Sequence, residues 1–600
     1  MAGCNWRPKI VIRPPIIKCA LPVIHALFQI LPWVTLLLWP HISSAAPMPA
    51  QDAIQQSEEL QRRQRDLLDE QDRLLKQTLP PVGPVKESDR EPTATQPGDS
   101  GPGPCIDVGT VVFEKATVFP DARLQELVPA DKCFALEQIF GLVRDTTNLY
   151  VDAGYVTSRA YLPEQDLSTG TLRIQVVEGR IEQVQLRQNG KLRKTGYGVL
   201  PSLNGKLLQI RRIEQGLDQI NSLSSKDAKI SFQPGSTAGM SIVVVDITSA
   251  RPWQATVGVD NSGAESTGKA QFEGSFSIED LFGQFETISI SHKHSDPSLD
   301  ESQISGNTSL YITVPRGMWT WRWSSSYYNY LSEVESQVQS FKTTGTNWSH
   351  KGEIERLLFR DQVSKTYGRA SLNFKEAENY LEDALLETSS RVLSVGRLEF
   401  AHTRRFLGGS LSARLGIDQG LPLWGAPVDN GDADSSVPKA QFTKFDGELG
   451  LSRGWAAGGG SLFLSSRVRG QYTPVALFGS EQLGIGGASS VRGFDTDSLS
   501  AENGFYSRNE VSFAPDIFSQ EQLEYLGQLS LFAGLDAGWQ FEGPSTPGIN
   551  RNLMGAAIGA RLQGGWVFGE ISYERPLLAP DDFNDEPVLR LRAGLTLSKF

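Results

Sequence analysis

The stretch LYITVPRGMWTWRW, residues 310–323, alternates apolar and polar side chains on both sides of a Pro-Arg-Gly turn. Leu310, Ile312 and Val314 share one phase, and beyond the turn Trp319, Trp321 and Trp323 alternate with Thr320 and Arg322. A period of two means that successive side chains point to opposite faces, so this is a hairpin with one greasy face. The same texture fills the chain after Arg251. Leu462, Leu464, Val468 and Tyr472 hold one phase against Phe463, Ser465, Arg467 and Arg469. Near the C-terminus Leu589, Leu591, Ala593, Leu595 and Leu597 alternate with Arg590, Arg592, Thr596 and Ser598. Aliphatic side chains on one face and arginines on the other suit lipid outside and water inside. A soluble sandwich or propeller also alternates. The absence of any helical pattern over this stretch, the aromatic clusters MWTWRW and SYYNY, and an export signal favour a transmembrane β-barrel. About 350 residues at about 22 per strand and turn predict about 16 antiparallel strands. Such a barrel has a lumen wide enough for a polypeptide or a plugging helix.

The 600-residue chain opens with Arg7, Lys9, Arg13 and Lys18, then an apolar run, then SSAAPMPA. This predicts a signal peptide over residues 1–45, cut after Ala45. The alternative, a signal anchor, is weakened by Pro22, Pro32, Pro40, His25 and Gln29. Residues 46–77 form the next unit. Their core, QDAIQQSEELQRRQRDLLDEQDRLLKQ, lacks Gly and Pro and is rich in helix formers, which predicts a helix. Ala53, Leu60, Leu67 and Leu74 recur every seven residues, with Leu68 and Leu75 beside them, giving a narrow apolar stripe. A short coiled coil, a solvated helix and a helix lining a water-filled lumen all share that pattern. Residues 78–104 carry Pro80, Pro81, Pro84, Pro92, Pro97, Pro102 and Pro104 and read as an extended linker. At about 3.1 Å per residue it spans on the order of 80 Å.

Cys4 and Cys19 leave with the signal peptide, so Cys105 and Cys133 remain as a pair in an oxidising compartment. A disulfide there stabilises its domain by roughly 3–4 kcal/mol in the chain-entropy view. From residue 105 onward a β-α-β-β outline occurs twice. The first copy, residues 105–180, runs VGTVVF, a helix around CFALEQIFGLVRDTTNLYVDAGY, then SRAYLP and TLRIQVVEG. The second, residues 181–250, runs IEQVQLR, the helix IRRIEQGLDQINSL, then AKISFQPG and MSIVVVDI. The barrel is assigned residues 251–600.

A net charge of −12, with no basic run, argues against a nucleic-acid partner. There is no G-x-x-x-x-G-K-[ST] loop to bind a nucleotide. His292 and His294, two residues apart in SHKHSD, are the only clustered histidines; they share one strand face, and the ordinary reading is a solvated loop rather than a metal pair. The sequence therefore names no catalytic residue, metal or cofactor, and no enzyme is expected.

Five stretches together resemble one family: VDAGYVTSRAYLPEQDLSTGTLRIQVVEGRI, INSLSSKDAKISFQPGSTAGMSIVVVDI, GVDNSGAESTG, SEQLGIGGASSVRGF and LFAGLDAG. They are similar to the outer-membrane transporters of two-partner secretion, the FhaC, ShlB and TpsB type, relatives of BamA. The order of signal peptide, lone helix, Pro-rich linker, two POTRA domains and barrel is theirs as well. The resemblance implies that the loop bearing Val491, Arg492, Gly493 and Phe494 folds back into the lumen and that Arg492 pairs with Asp536 on the inner wall. Gly493 then allows close backbone approach and Phe494 packs locally. One departure is that Phe600, a terminal aromatic, is out of phase with Leu591, Leu595 and Leu597.

The function so implied is export, across the bacterial outer membrane, of one large secreted TpsA-type exoprotein of the adhesin, haemolysin or contact-dependent inhibitor class. Periplasmic POTRA domains meet the unfolded cargo, and the helix vacates the lumen. The other partners implied are outer-membrane lipid and the barrel-assembly machinery that inserts the protein. A BamA-like assembly factor shares the POTRA domains and the loop, but two such domains behind a helix and linker favour secretion. The POTRA-like region argues against a passive porin.

Overall fold

A computed structural model describes residues 49–75, 105–130, 133–200, 203–295, 302–335, 339–429, 434–495 and 497–597. The signal peptide, the Pro-rich linker and Phe600 lie outside the described residues.

Sixteen antiparallel strands close into a barrel. The first, Trp253–Asp260, pairs with the last, Val588–Leu597, with Ala255 opposite Leu597 and Asp260 opposite Arg592. The opening hairpin consists of Ile304–Arg316 and Trp319–Glu335. Its turn is tighter than the Pro-Arg-Gly reading, because Arg316 already pairs with Trp319 and only Gly317 and Met318 link the strands. Trp319, Trp321 and Trp323 are exposed on the outer face. Arg322, in the opposite phase, reaches Glu353 at 3.1 Å and Glu355 at 3.0 Å on the next strand. The inner wall continues this pattern: Arg369 bridges Glu355 (2.6 Å) and Glu399 (2.5 Å), and Arg397 bridges Asp418 (2.9 Å) and Asp446 (2.5 Å). Alternation thus sorts apolar side chains to lipid and cross-strand ion pairs to the lumen. His292 and His294 are not loop residues. They sit in the strand Thr287–Ser295, in the phase of the exposed Ile290, with ring centroids 5.3 Å apart.

Two small α+β domains precede the barrel. In the first, the strand Thr171–Val177 lies between Thr110–Glu114, parallel to it, and Arg159–Tyr161, antiparallel, with the helix Leu136–Asp152 across them. Cys105 and Cys133 are disulfide-bonded, with Cα atoms 5.3 Å apart. In the second, Arg180–Gln188 and Met240–Ser249 pair in parallel at the centre, Lys226–Pro234 forms one edge, and the helix Ile210–Asn221 covers the sheet. Val151 and Val156 of the first domain pack into the second domain's core, as does Phe285 from the turn between the second and third barrel strands, Gln271–Glu279 and Thr287–Ser295. Asp280 of that turn takes Arg193 at 2.6 Å and Lys226 at 3.1 Å, and Asp218 takes Lys365 at 2.6 Å. The two domains and the barrel therefore share cores and buried ion pairs.

Glu178 closes the first domain. It accepts hydrogen bonds from the Thr117 amide (2.5 Å) and hydroxyl (2.5 Å), the Val118 amide (2.9 Å) and the Tyr150 hydroxyl (3.0 Å). Burial pushes this carboxyl up, but the hydrogen bonds from Thr117, Val118 and Tyr150 outweigh it and hold it below the usual carboxylate range. A depressed carboxylate contributes stability that is complete above its unfolded pKa and drains as pH falls through the folded one. Protection of the segment around Thr117 against hydrogen exchange, taken relative to the intrinsic rate at each pH, is expected to fall at acid pH in the full chain. Glu178→Gln should lower it already at neutral pH and flatten the acid dependence. An unchanged acid profile in Glu178→Gln would place the transition elsewhere.

Candidate functional site: a pinned loop and a helix inside the barrel

The connection between the strands Gly460–Tyr472 and Asn503–Pro515 turns inward and builds its own core. A short hairpin, Leu483–Ile485 with Leu499–Ala501, carries it. Leu483, Ile485, Val491, Phe494 and Leu499 pack with Tyr506 and Leu553 of the wall, and Phe494 meets Phe583 edge-on at 6.4 Å. Each such burial is worth about 1.5–3 kcal/mol, so the loop is a folded element inside the lumen.

At its tip Arg492 is 2% exposed and Asp536 is 0% exposed. Arg492 Nε donates to Asp536 Oδ2 at 2.7 Å and Nη2 to Oδ1 at 3.0 Å, a bidentate fork that fixes orientation as well as distance. The Arg492 amide donates to the same carboxylate at 3.2 Å. The remaining guanidinium donors reach Glu510 Oε2 (2.9 Å) and the Asn509 carbonyl (2.9 Å), so the site is larger than one pair. The Asn509 amide also donates to Asp536 at 3.0 Å. Gly493 sits at φ +97°, where a side chain is strained, and its amide donates to Glu574 at 3.2 Å.

The wall opposite is stripped of side chains. A Cβ on Gly534 would lie 1.9 Å from Arg492 Nη2, one on Gly538 2.3 Å from Ile485 Cγ2, and one on Gly555 1.8 Å from the Arg492 carbonyl oxygen. Sequence reasoning missed these glycines and Glu510. The signal was present as GLDAG, in which Gly534, Asp536 and Gly538 share one strand phase and leave a lone carboxylate in a bare groove. A second anchor was also missed: Glu481 takes Lys375 at 2.5 Å and Lys444 at 2.9 Å. Nothing local marks Glu481, because its partners come from distant strands.

The helix Pro49–Leu75 runs inside the barrel against this loop and the strands Trp319–Glu335, Ser340–Arg360 and Ser364–Leu381. Of its apolar stripe, Ala53 and Leu60 are buried, and Leu60 packs on Tyr328 and Tyr330. Most of its other contacts are polar. Gln56 meets Ser332 (3.0 Å), Asn347 meets Gln64 (2.8 Å), and Arg65 donates to the carbonyls of Ser480 (2.7 Å) and Gln482 (2.5 Å). Among the described residues no group of three or more metal-ligating side chains occurs and no helix is long and apolar enough to cross a membrane.

A strand-crossed barrel carrying two small domains, its lumen filled by its own helix and its own inward loop, belongs to the class of plugged transmembrane β-barrels. The family model described as haemolysin secretion/activation protein ShlB/FhaC/HecB matches residues 239–562, a ShlB-type POTRA domain matches 106–179, and a further POTRA domain matches 180–234. The chain belongs to this family of two-partner secretion outer-membrane transporters. It is 32% identical to the outer membrane transporter CdiB of Escherichia coli over 94% of this chain and 92% of that one. It is 28% identical to the hemolysin transporter protein ShlB of Serratia marcescens over 77% of this chain and 82% of that one. The solved structure of CdiB from Escherichia coli superposes with a TM-score of 0.80 at 31% identity, covering 92% of this chain and all of that one. The barrel accordingly sits in the outer membrane, and the POTRA domains lie in the periplasm.

Proposed function

We propose that this chain exports one large unfolded exoprotein, of the adhesin, haemolysin or contact-dependent inhibitor class, and that its POTRA domains make the first contact with that cargo. Among the described residues the edge strand Lys226–Pro234 pairs on one side only, with Met240–Ser249, and offers main-chain groups to which an extended segment adds with little sequence demand. The cargo then threads the lumen as the helix withdraws, and folding outside supplies direction. In this reading the pair of Arg492 and Asp536 keeps the inward loop in one geometry while the conduit is occupied.

The observation that carries the proposal is that the lumen is filled by a helix held largely through polar contacts. Such contacts exchange for water at small net cost, so the helix is removable in a way an apolar core is not. Deleting residues 52–77 is expected to raise single-channel conductance in planar bilayers several-fold, while secretion of the cognate exoprotein survives through the POTRA domains. Unchanged conductance would place the helix outside the ion path. Loss of secretion in a strain that lacks the whole protein, restored by this chain, tests the export reading itself.

A further inference from the structure

The charges that join the helix to the wall are unevenly shared. The helix Pro49–Leu75 carries seven carboxylates and four arginines. Its carboxylates reach cations of the barrel: Glu58 meets Arg391 at 2.8 Å, Asp69 meets Arg469 at 3.0 Å, Glu70 meets Arg467 at 3.0 Å and Asp72 meets Lys351 at 2.9 Å. Arg62, Arg63 and Arg65 make a different set of contacts. Arg65 donates to loop carbonyls, Arg62 to the Ser498 hydroxyl (2.9 Å), and Arg63 to the Asp495 carbonyl (3.0 Å) and to Glu59 of its own helix. Elsewhere on the wall Arg322, Arg369 and Arg397 pair between strands and keep those partners whether or not the helix is present.

Withdrawal of the helix therefore removes a carboxylate from each of four lumenal cations, whereas Glu481, which loses the nearby charge of Arg65, keeps Lys375 and Lys444. Arg391 and Arg467 keep contacts to the carbonyls of Thr388 (2.9 Å) and Ser489 (2.8 Å), which do not cancel charge, and Lys351 keeps Glu353 at 3.6 Å. Resting on the export reading above, we propose that the emptied lumen is a binding site for acidic polypeptide: the segment that replaces the helix supplies carboxylates to Arg391, Lys351, Arg467 and Arg469. Because Asp69, Glu70 and Asp72 fall within four residues, a short acidic cluster in an unfolded chain is enough to engage three of the four cations. The open conduit is anion-selective for the same reason, and the preference fades at high salt as the charges are screened.

The test has two parts. In the full-length chain, Ser57→Cys places a thiol in the buried face of the seated helix. Poly-L-glutamate of about 20 residues, near the helix's own length, is expected to speed maleimide labelling of that thiol at least tenfold over poly-L-lysine of equal length. In the pore lacking residues 52–77, a KCl gradient should give a reversal potential of anion-selective sign, and poly-L-glutamate should block at a concentration at least tenfold below poly-L-lysine. Arg467→Gln with Arg469→Gln should remove most of that preference. An open pore that treats both polymers alike, or one that is cation-selective, overturns the acidic-segment proposal and leaves export standing. A deletion pore that never opens overturns both.

Discussion

Arg492→Ala is expected to reach the outer membrane at the normal level, to remain heat-modifiable on gels, and to secrete almost no exoprotein. The substitution leaves Asp536 fully buried, with only amide donors from residue 492 and Asn509 in place of a forked cation. Removing one partner of a dry ion pair costs about 3–5 kcal/mol, enough to unseat the tip of the loop, which is otherwise held by the apolar cluster and the Gly493 amide on Glu574, while Glu481 anchors only its start. Arg492→Lys should rescue poorly, since an ammonium cannot serve Asp536, Glu510 and the Asn509 carbonyl at once. Asp536→Ala is expected to be the milder single change, because Arg492 keeps Glu510 at 2.9 Å. The double mutant should resemble Arg492→Ala, since both act through one contact. Strictly additive losses would separate the two residues, and full secretion by Arg492→Ala would reduce Arg492 to an ordinary loop charge.

The barrel was legible because its code is local. Trp319, Trp321 and Trp323 against Arg322 state inside and outside within five residues, and each later strand repeats the statement. The helix was legible as a helix for the same reason, but its position was not. Its heptad leucines fit a coiled coil, a free helix or a lumen, and what places it is the match of Asp69, Glu70 and Asp72 to Arg469, Arg467 and Lys351, from strands roughly 280 to 400 positions away. The link between Arg492 and Asp536 came from family resemblance, since a separation of 44 residues carries no local periodicity. Glu481 lacked even that, and its role rests wholly on Lys375 and Lys444 arriving from two other strands. His292 and His294 misled in the opposite direction, because polarity suggested a loop where the strand continues into the outer face.

Gly555→Ala is expected to reproduce the Arg492→Ala defect without touching a charge. The added carbon would lie 1.8 Å from the Arg492 carbonyl oxygen and 3.0 Å from its carbonyl carbon, and both are backbone atoms that no side-chain rotation can move aside. Overpacking by a single carbon costs about 1–3 kcal/mol where neighbours can shift. Here the neighbour is the residue fixed by the fork to Asp536, so relief comes only by lifting the loop from the wall. Secretion should fall severely, and protease should cut the loop around Arg492 in barrels that stay heat-modifiable. Gly274→Ala is the matched control: it adds the same carbon to a barrel strand, where its nearest neighbour is 4.0 Å away, and should secrete normally. Combining Gly555→Ala with Arg492→Ala should be no worse than either alone, because a loop already lifted has nothing further to lose. A Gly555→Ala protein that secretes at the wild-type level with its loop protected would mean that seating against this wall is dispensable, and that Arg492 serves export by some route other than holding the loop.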